Sequence, residues 1–144
     1  MDRMSARLTP TQIDQIRREG EISYPQECCG LLLGTLANGT KYISETYPVS
    51  NAREEAAQFN RFLIPPSAVH KAEQYARGKK LDVLGFYHSH PNAEARPSAF
   101  DLEHAWPFYS YIIVSVKDRL AGDLTCWTML DDRSQFVPEE LVIE

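Results

Sequence analysis

The chain lacks the features of a secreted, membrane-spanning or disulfide-rich protein. It has three cysteines, Cys28, Cys29 and Cys126, none of them in a CxxC pair. Residues 1–7 carry charges but no apolar stretch after them, so they do not form a secretory signal. No apolar run approaches the roughly 18 residues that a membrane span requires. These absences favour reduced thiols and a cytoplasmic location, without a membrane partner.

The chain also lacks an excess of basic residues. Its formal net charge is −5 and its pI is about 5.4, which argues against nucleic acid or an anionic membrane as a partner. The 144 residues are 43% hydrophobic and 24% charged, ordinary values for a soluble globular protein. With no repeats and no linker, residues 1–144 are expected to form a single domain.

Helix-boundary residues mark three helices. In the first, Thr9 is a good N-cap, Pro10 suits the first helical position and Gln12 completes a capping box. Gly20 is expected to end that helix. The other two helices are predicted over residues 65–78 and, more briefly, from Ser98 onward.

Apolar runs between these helices predict several strands. The Asn38-Gly39 pair is a strong hairpin signal that would join two of them. The predicted strands cover residues 27–34, 41–49, 59–64, 81–88, 109–116, 124–130 and 136–143, with an exposed loop over 50–58. Strands that alternate with helices predict an α/β fold with a mixed sheet flanked by helices.

The most informative stretch is the run His88-Ser89-His90-Pro91. Residues at i and i+2 of a strand point to the same face, so both imidazoles leave one face where the strand ends. Asp101 follows His90 by eleven residues, near the start of the third helix. Two histidines and one carboxylate leave a tetrahedral zinc with one open position, as in catalytic sites. Taken alone, the two histidines fit equally well as ordinary imidazoles near a turn.

Ser98 and Asp101 also admit a purely structural interpretation. A Ser-x-x-Asp sequence before a helix is close to a capping box, although the box proper has Glu or Gln at its last position. The two interpretations are compatible, because a capped helix start would also fix the position of the Asp101 side chain.

Glu27 lies where a loop enters an almost wholly apolar strand. It is either a solvated residue at the strand end or a carboxylate that exchanges protons with a water at the metal. Cys29 would share its strand face, but free cysteines are mostly buried, and all three are interpreted as core residues. His104 follows Asp101 by three residues and is a weaker candidate, as a contact to a metal ligand rather than as a ligand itself.

Together these residues resemble the motif of the JAMM, or MPN-plus, metalloprotease family. That motif is an upstream Glu, then His-Ser/Thr-His-Pro, then Ser-x-x-Asp after seven further positions, which residues 91–97 supply here. The flanking segments 24–34 and 84–91 resemble the two active-site strands of the family. The likeness extends over about residues 8–143 and is strongest to compact, stand-alone bacterial members, which implies an MPN-like α/β domain.

The resemblance implies a role for each motif residue. His88, His90 and Asp101 would bind one zinc ion per chain, with a water in the fourth position. Glu27 would act as general base and then as general acid, and Ser98 would help to stabilise the oxyanion. Members of the family hydrolyse peptide or isopeptide bonds after the C-terminal glycine of ubiquitin-like proteins. The expected partner is therefore a ubiquitin-like protein, possibly a sulfur carrier, with a Gly-Gly C-terminus.

Three other functions compete with this hypothesis. The chain could be a zinc-stabilised, non-catalytic module that binds a ubiquitin-like partner, although such a module would not need Glu27 beside an open zinc site. A nucleobase deaminase would require His-x-Glu and Pro-Cys-x-x-Cys sequences, which are absent. An amidohydrolase barrel would require a longer chain. The sequence leaves open the physiological carrier, the leaving group, the preference for peptide or isopeptide bonds and the oligomeric state.

Overall fold

The structure is a computed structural model that describes residues 4–49 and 64–144. Within these ranges the chain forms eight strands and three helices. In chain order they are β1 (Ser5–Leu8), α1 (Pro10–Ser23), β2 (Cys29–Ala37), β3 (Thr40–Val49), α2 (Pro66–Gly78), β4 (Asp82–Pro91), α3 (Ala99–His104), β5 (Ser110–Lys117), β6 (Leu120–Met129), β7 (Phe136–Pro138) and β8 (Glu140–Ile143). None of the described helices is long and apolar enough to span a membrane.

The strands form one mixed sheet in the order β7-β6-β5-β4-β2-β3-β1-β8. The hairpin β2–β3, the pair β2–β4 and the hairpin β5–β6 are antiparallel, whereas β4 and β5 are parallel. β4 therefore lies in the interior of the sheet, with hydrogen-bonded neighbours on both sides. This position makes β4 a rigid support for side chains at its carboxyl end.

Helices cover both faces of the sheet. Ile13 and Ile16 of α1 pack on one face, in the larger hydrophobic core. Ala72 and Ala76 of α2 pack on the other face, against residues that include Leu31. This arrangement follows from the alternation of side chains along β2, which is apolar on both faces. The predicted α/β fold with a mixed sheet flanked by helices is confirmed.

Helix α1 begins as predicted but ends later than predicted. Thr9 and Gln12 form the full capping box, yet the helix continues past Gly20 to Ser23. Gly20 is buried, and a Cβ atom there would lie 2.9 Å from Cγ2 of Val116. The glycine thus permits close packing of the helix on β5, and its prediction as a helix stop was wrong.

The end of the chain also differs from the prediction. Residues 136–143 were expected to form one strand, but they form β7 and β8, which lie at opposite edges of the sheet. Between them the buried Glu139 forms an ion pair with the buried Lys41 of β3, with 3.2 Å between nitrogen and oxygen. The short strand β1 was not predicted; it pairs in parallel with β3 and β8. The predicted loop over 50–58 and nearly all of the predicted strand 59–64 lie outside the described residues.

Candidate metal centre

The two histidines lie near the carboxyl end of β4, which continues to Pro91 rather than ending at residue 88 as predicted. His88 pairs with Cys29 on β2 and with Ile113 on β5, so the backbone is held from both sides. His88 and His90 point to the same face, as their i, i+2 spacing predicts. Both are buried, and His88 is only 2% exposed.

Helix α3 brings Asp101 to these histidines. The Ser98 hydroxyl accepts a hydrogen bond from the Asp101 N–H at 3.1 Å, and Oδ2 of Asp101 accepts one from the Ser98 N–H at 2.8 Å. The predicted cap is therefore present. The same cap fixes the Asp101 carboxylate, because the helix start permits few other positions for a residue at this site.

Three donor atoms of these residues converge on one point. Nε2 of His88 lies 3.0 Å from Nε2 of His90, and each of these nitrogens lies 3.3 Å from Oδ2 of Asp101. The ligand atoms of a tetrahedral zinc, with bonds of about 2.0–2.1 Å, lie roughly 3.3 Å apart. The spacing of the three donors therefore fits a single zinc ion held by all three residues.

The electrostatics of the cluster favour metal binding at two of its three residues. Burial lowers the pKa of His88. Burial would also lower the pKa of His90, but hydrogen bonds with Asp101 and the Glu94 carbonyl outweigh it and raise that pKa. Burial raises the pKa of Asp101, but the two histidines outweigh it and hold that pKa well below its usual range. The lowered pKa values of His88 and Asp101 favour the unprotonated forms that bind a metal, whereas the raised pKa of His90 means that a metal ion would have to displace a proton there.

A backbone contact also orients the second histidine. Nδ1 of His90 lies 2.9 Å from the carbonyl oxygen of Glu94, in the loop that follows β4. A hydrogen bond at Nδ1 leaves Nε2 as the atom that faces Asp101. The sequence carried no sign of this contact, because a backbone carbonyl is available at every residue.

Glu27 lies beside the cluster, two residues before β2. It is 4% exposed, and one of its carboxylate oxygens lies within 4.8 Å of ring nitrogens of His88 and His90. Its position depends on a contact that the sequence analysis missed. The buried Ser89 accepts a hydrogen bond at 2.8 Å from the N–H of Cys28, and its own N–H donates to the Cys28 carbonyl. Ser89 therefore ties the segment of Glu27 to the strand that carries both histidines.

The remaining candidates lie outside the donor cluster. The three cysteines are buried as predicted, and burial raises the pKa of Cys28 and of Cys29 to about 12. Both therefore remain thiols at neutral pH. His104 stacks on Phe100, with 4.2 Å between ring centroids, and its Nδ1 lies 2.8 Å from the Phe100 carbonyl. These contacts turn the His104 ring toward Phe100, within its own helix.

A pocket of about 350 Å³ opens next to the cluster. We call it the aromatic pocket, because six aromatic side chains line it: Phe86, Phe100, Trp106, Tyr109, Tyr111 and Phe136. His88 and Asp101 form part of its wall, whereas Glu27 and His90 do not. The pocket and the cluster thus share the side chains of His88 and Asp101.

The chain is similar in sequence and in fold to several known proteins. Residues 10–130 match the family model for prokaryotic homologs of the JAB domain. The chain is 34% identical over 99 residues to a desampylase of Haloferax volcanii, a match that covers 68% of each chain. It is 40% identical to a protein from Salinibacter ruber, whose solution structure matches with a TM-score of 0.75 over 98% of this chain and 92% of that one. A JAB1/MPN domain protein from Archaeoglobus fulgidus, 20% identical, has the same fold, with a TM-score of 0.55 over 99% of both chains.

Proposed function

Because the chain belongs to the family of prokaryotic homologs of the JAB domain, we propose that it is a zinc-dependent hydrolase. Its substrate is the peptide or isopeptide bond after the C-terminal glycine of a ubiquitin-like protein. The observation that carries this proposal is the convergence of His88, His90 and Asp101, whose donor atoms lie 3.0–3.3 Å apart beside the buried Glu27.

His88, His90 and Asp101 would hold the zinc through the three donor atoms that lie 3.0–3.3 Å apart. The bound ion would supply Lewis-acid chemistry, for the scissile carbonyl and for water as the nucleophile near neutral pH. Asp101 is held for this task by the cap at Ser98, and His90 by the Glu94 carbonyl.

Glu27 is the proton carrier of the proposed reaction. Its carboxylate takes a proton from the attacking water and returns it to the departing amine. Its burial limits exchange of that proton with bulk solvent. No covalent intermediate is needed, which agrees with buried cysteine thiols whose pKa of about 12 makes them poor nucleophiles.

Ser98 would help to hold the developing negative oxygen. Its side chain is exposed, and its hydroxyl accepts the Asp101 N–H. The hydroxyl proton therefore remains available for donation to a substrate oxygen.

The partner would be a ubiquitin-like protein, possibly a sulfur carrier, that ends in Gly-Gly. Similarity to a protein named desampylase supports this class of partner. A tail without side chains also suits close approach of a peptide backbone to a metal held by buried residues.

The experiment is a cleavage assay of the zinc-loaded protein on three substrates, followed by mass spectrometry. These are a carrier fusion that ends in Gly-Gly-X, the same fusion with Ala-Ala-X, and a linked ubiquitin chain. Cleavage of Gly-Gly-X alone is the expected result. Preference for the ubiquitin chain would indicate a deubiquitinase, and no cleavage of any substrate would favour the non-catalytic binding module.

The variant Glu27→Gln tests the proposed proton carrier. It should retain zinc and fold but lose roughly 10²–10⁴-fold in turnover, as is typical when a general base is removed. Glu73→Gln is the matched control, since Glu73 is exposed on α2. Normal turnover of zinc-loaded Glu27→Gln would exclude Glu27 from the mechanism, and loss of the zinc would make Glu27 a ligand instead.

A further inference from the structure

Asp101 is the least supported of the three proposed metal ligands. His88 lies on β4, whose backbone pairs with a strand on each side, and the ring of His90 is held by the Glu94 carbonyl. Asp101 lies on α3, which has six residues, none of them fully buried. The cap between Ser98 and Asp101 lies within this segment, so it orients the carboxylate but does not hold α3 against the sheet.

Packing on the sheet holds only part of α3. Phe100, Asp101 and His104 of this helix line the aromatic pocket, together with Phe86 of β4 and Tyr111 of β5. Among the described residues, part of the space between α3 and the sheet is therefore an open cavity of about 350 Å³. Most helical stability in proteins comes from tertiary packing, and a helix this short is not stable alone. The position of α3 must depend on specific contacts.

The guanidinium of Arg133 contacts the C-terminal end of α3 in two ways. Its Nη2 donates a hydrogen bond to the Glu103 carbonyl at 3.1 Å, and the group lies over the ring of Trp106, 4.4 Å from its centroid. The last carbonyls of a helix have no partner within the helix, and a positive charge is favoured beside them. The Trp106 N–H also donates to the Tyr111 hydroxyl at 2.9 Å. Arg133 and Tyr111 thus fasten this end of α3 to the sheet.

The turn that carries Arg133 is itself well defined. It joins β6 to β7, and the Arg133 N–H donates to the Leu130 carbonyl at 2.8 Å. The Ser134 N–H donates to the Asp132 carboxylate at 2.9 Å. These hydrogen bonds fix the direction in which the Arg133 side chain leaves the turn, so the guanidinium is presented to α3 from a fixed base.

We propose that Arg133 is a positioning residue for the metal centre, because its guanidinium keeps α3 where Asp101 meets His88 and His90. This inference rests on the metal-binding part of the proposed function. Without the guanidinium, α3 would sample other positions, and only a fraction of the molecules would present all three donors to a zinc ion. The apparent dissociation constant for zinc rises in inverse proportion to that fraction. Arg133 would thus raise the zinc affinity without being a ligand.

The zinc affinity, measured without any substrate, tests this inference. Each protein is loaded with zinc, and transfer of the metal to a chromophoric chelator gives its dissociation constant. Arg133→Ala should raise that constant roughly 3–30-fold, since it removes one charge-assisted hydrogen bond and one cation–π contact at an exposed site. Arg133→Lys should restore most of the affinity, because an ammonium group can donate to the same carbonyl and lie over the same ring.

Arg119→Ala is the matched control. Arg119 is exposed, as Arg133 is, and both lie in turns between strands with a positive φ, of 70° and 60°. The guanidinium of Arg119 also lies over an aromatic ring, 6.0 Å from the centroid of Tyr24. This contact is at the end of α1 rather than α3, so Arg119→Ala should bind zinc as tightly as wild type.

The same measurement in the Asp101→Ala background shows whether Arg133 acts through Asp101. With that ligand gone, Asp101→Ala/Arg133→Ala should bind zinc as weakly as Asp101→Ala alone, because the position of α3 no longer matters to the site. A general weakening of the fold would instead lower the zinc affinity by the same factor in both backgrounds.

Each outcome decides for or against the inference. An unchanged zinc affinity of Arg133→Ala, an equal loss in Arg119→Ala, or a full Arg133 effect in the Asp101→Ala background would overturn it and leave the hydrolase proposal intact. The expected zinc affinities in a protein that cleaves none of the carrier fusions would support the role of Arg133 and contradict the hydrolase. Both proposals would be overturned if wild type bound no zinc, or if Asp101→Ala bound it as tightly as wild type.

Discussion

Replacement of Lys41 by Met should destabilise the protein strongly, although Lys41 lies outside the metal centre. The Lys41 side chain is 0% exposed and that of Glu139 is 1% exposed. The ammonium group donates to the Phe108 carbonyl, to the Ser110 hydroxyl at 2.9 Å and to Glu139 at 3.2 Å. Methionine keeps most of the apolar stem but removes all three hydrogen bonds at once.

The magnitude follows from what is left behind. Without Lys41 the Glu139 carboxylate stays buried with the Ser110 hydroxyl and the Cys126 thiol as its remaining contacts. Removal of one partner of a buried ion pair typically costs about 3–5 kcal/mol. In a chain of this size each kcal/mol corresponds to roughly 2–4 °C in Tm. We therefore expect Lys41→Met to lower Tm by roughly 6–20 °C.

Urea unfolding of four proteins tests this reasoning. Wild type, Lys41→Met, Glu139→Gln and the double variant form a double-mutant cycle, in which the double variant should lose less than the sum of the single losses. Lys79→Met is the matched control. Lys79 pairs with Glu45 at 3.3 Å, but these side chains are 51% and 31% exposed, so the loss of this pair should change the free energy of unfolding far less than the loss of the buried pair. Equal decreases in the free energy of unfolding for Lys41→Met and Lys79→Met would refute the importance assigned to burial.

Three further predictions concern the candidate metal centre and the buried cysteines. Metal analysis of the purified wild type should find one zinc per chain. The double variant His88→Ala/His90→Ala should hold none, because both histidines supply donor atoms to the cluster. Equal zinc contents in the two proteins would contradict the assignment. Ser98→Gly should cost only a few tenths of a kcal/mol in thermal melts yet slow single-turnover cleavage by roughly 10²–10³-fold, whereas an unchanged rate would leave Ser98 as a helix cap alone. Cys28 and Cys29, with pKa raised from 9.0 to about 12 by burial, should resist iodoacetamide at pH 8 until urea unfolds the chain. Because the folded protein favours the thiol form, the contribution of these cysteines to the free energy of unfolding should be complete below pH 9 and fall as the pH rises toward 12. Rapid alkylation of the native protein at pH 8 would show accessible thiolates and contradict their burial.

The local sequence was enough to predict the structure wherever neighbouring residues determine it. The capping boxes at Thr9 and Ser98 depend on residues three positions apart, so both could be predicted. The common face of His88 and His90 follows from the two-residue period of a strand. The family motif added Glu27, which no local rule would have linked to histidines some 60 residues away.

Predictions failed where a distant partner decides the outcome. Strand β1 has only four residues and is defined by its pairing with β3 and β8. Gly20 resembles a helix stop, but its contact with Val116 of β5 makes it a site of close packing. The run 136–143 was expected to form one strand, yet its halves pair with opposite edges of the sheet.

By itself, the sequence determined the helix caps, the strand that carries the histidines and the α/β class, because these depend on short-range periodicity and spacing. Only the tertiary structure decided that Ser89 ties the Glu27 segment to β4, that the His90 ring is held by the Glu94 carbonyl, and that an aromatic pocket adjoins Asp101. The physical reason is that strand order and register determine which distant side chains meet. A one-residue shift between β2 and β4 would turn every side chain of one strand to the other face.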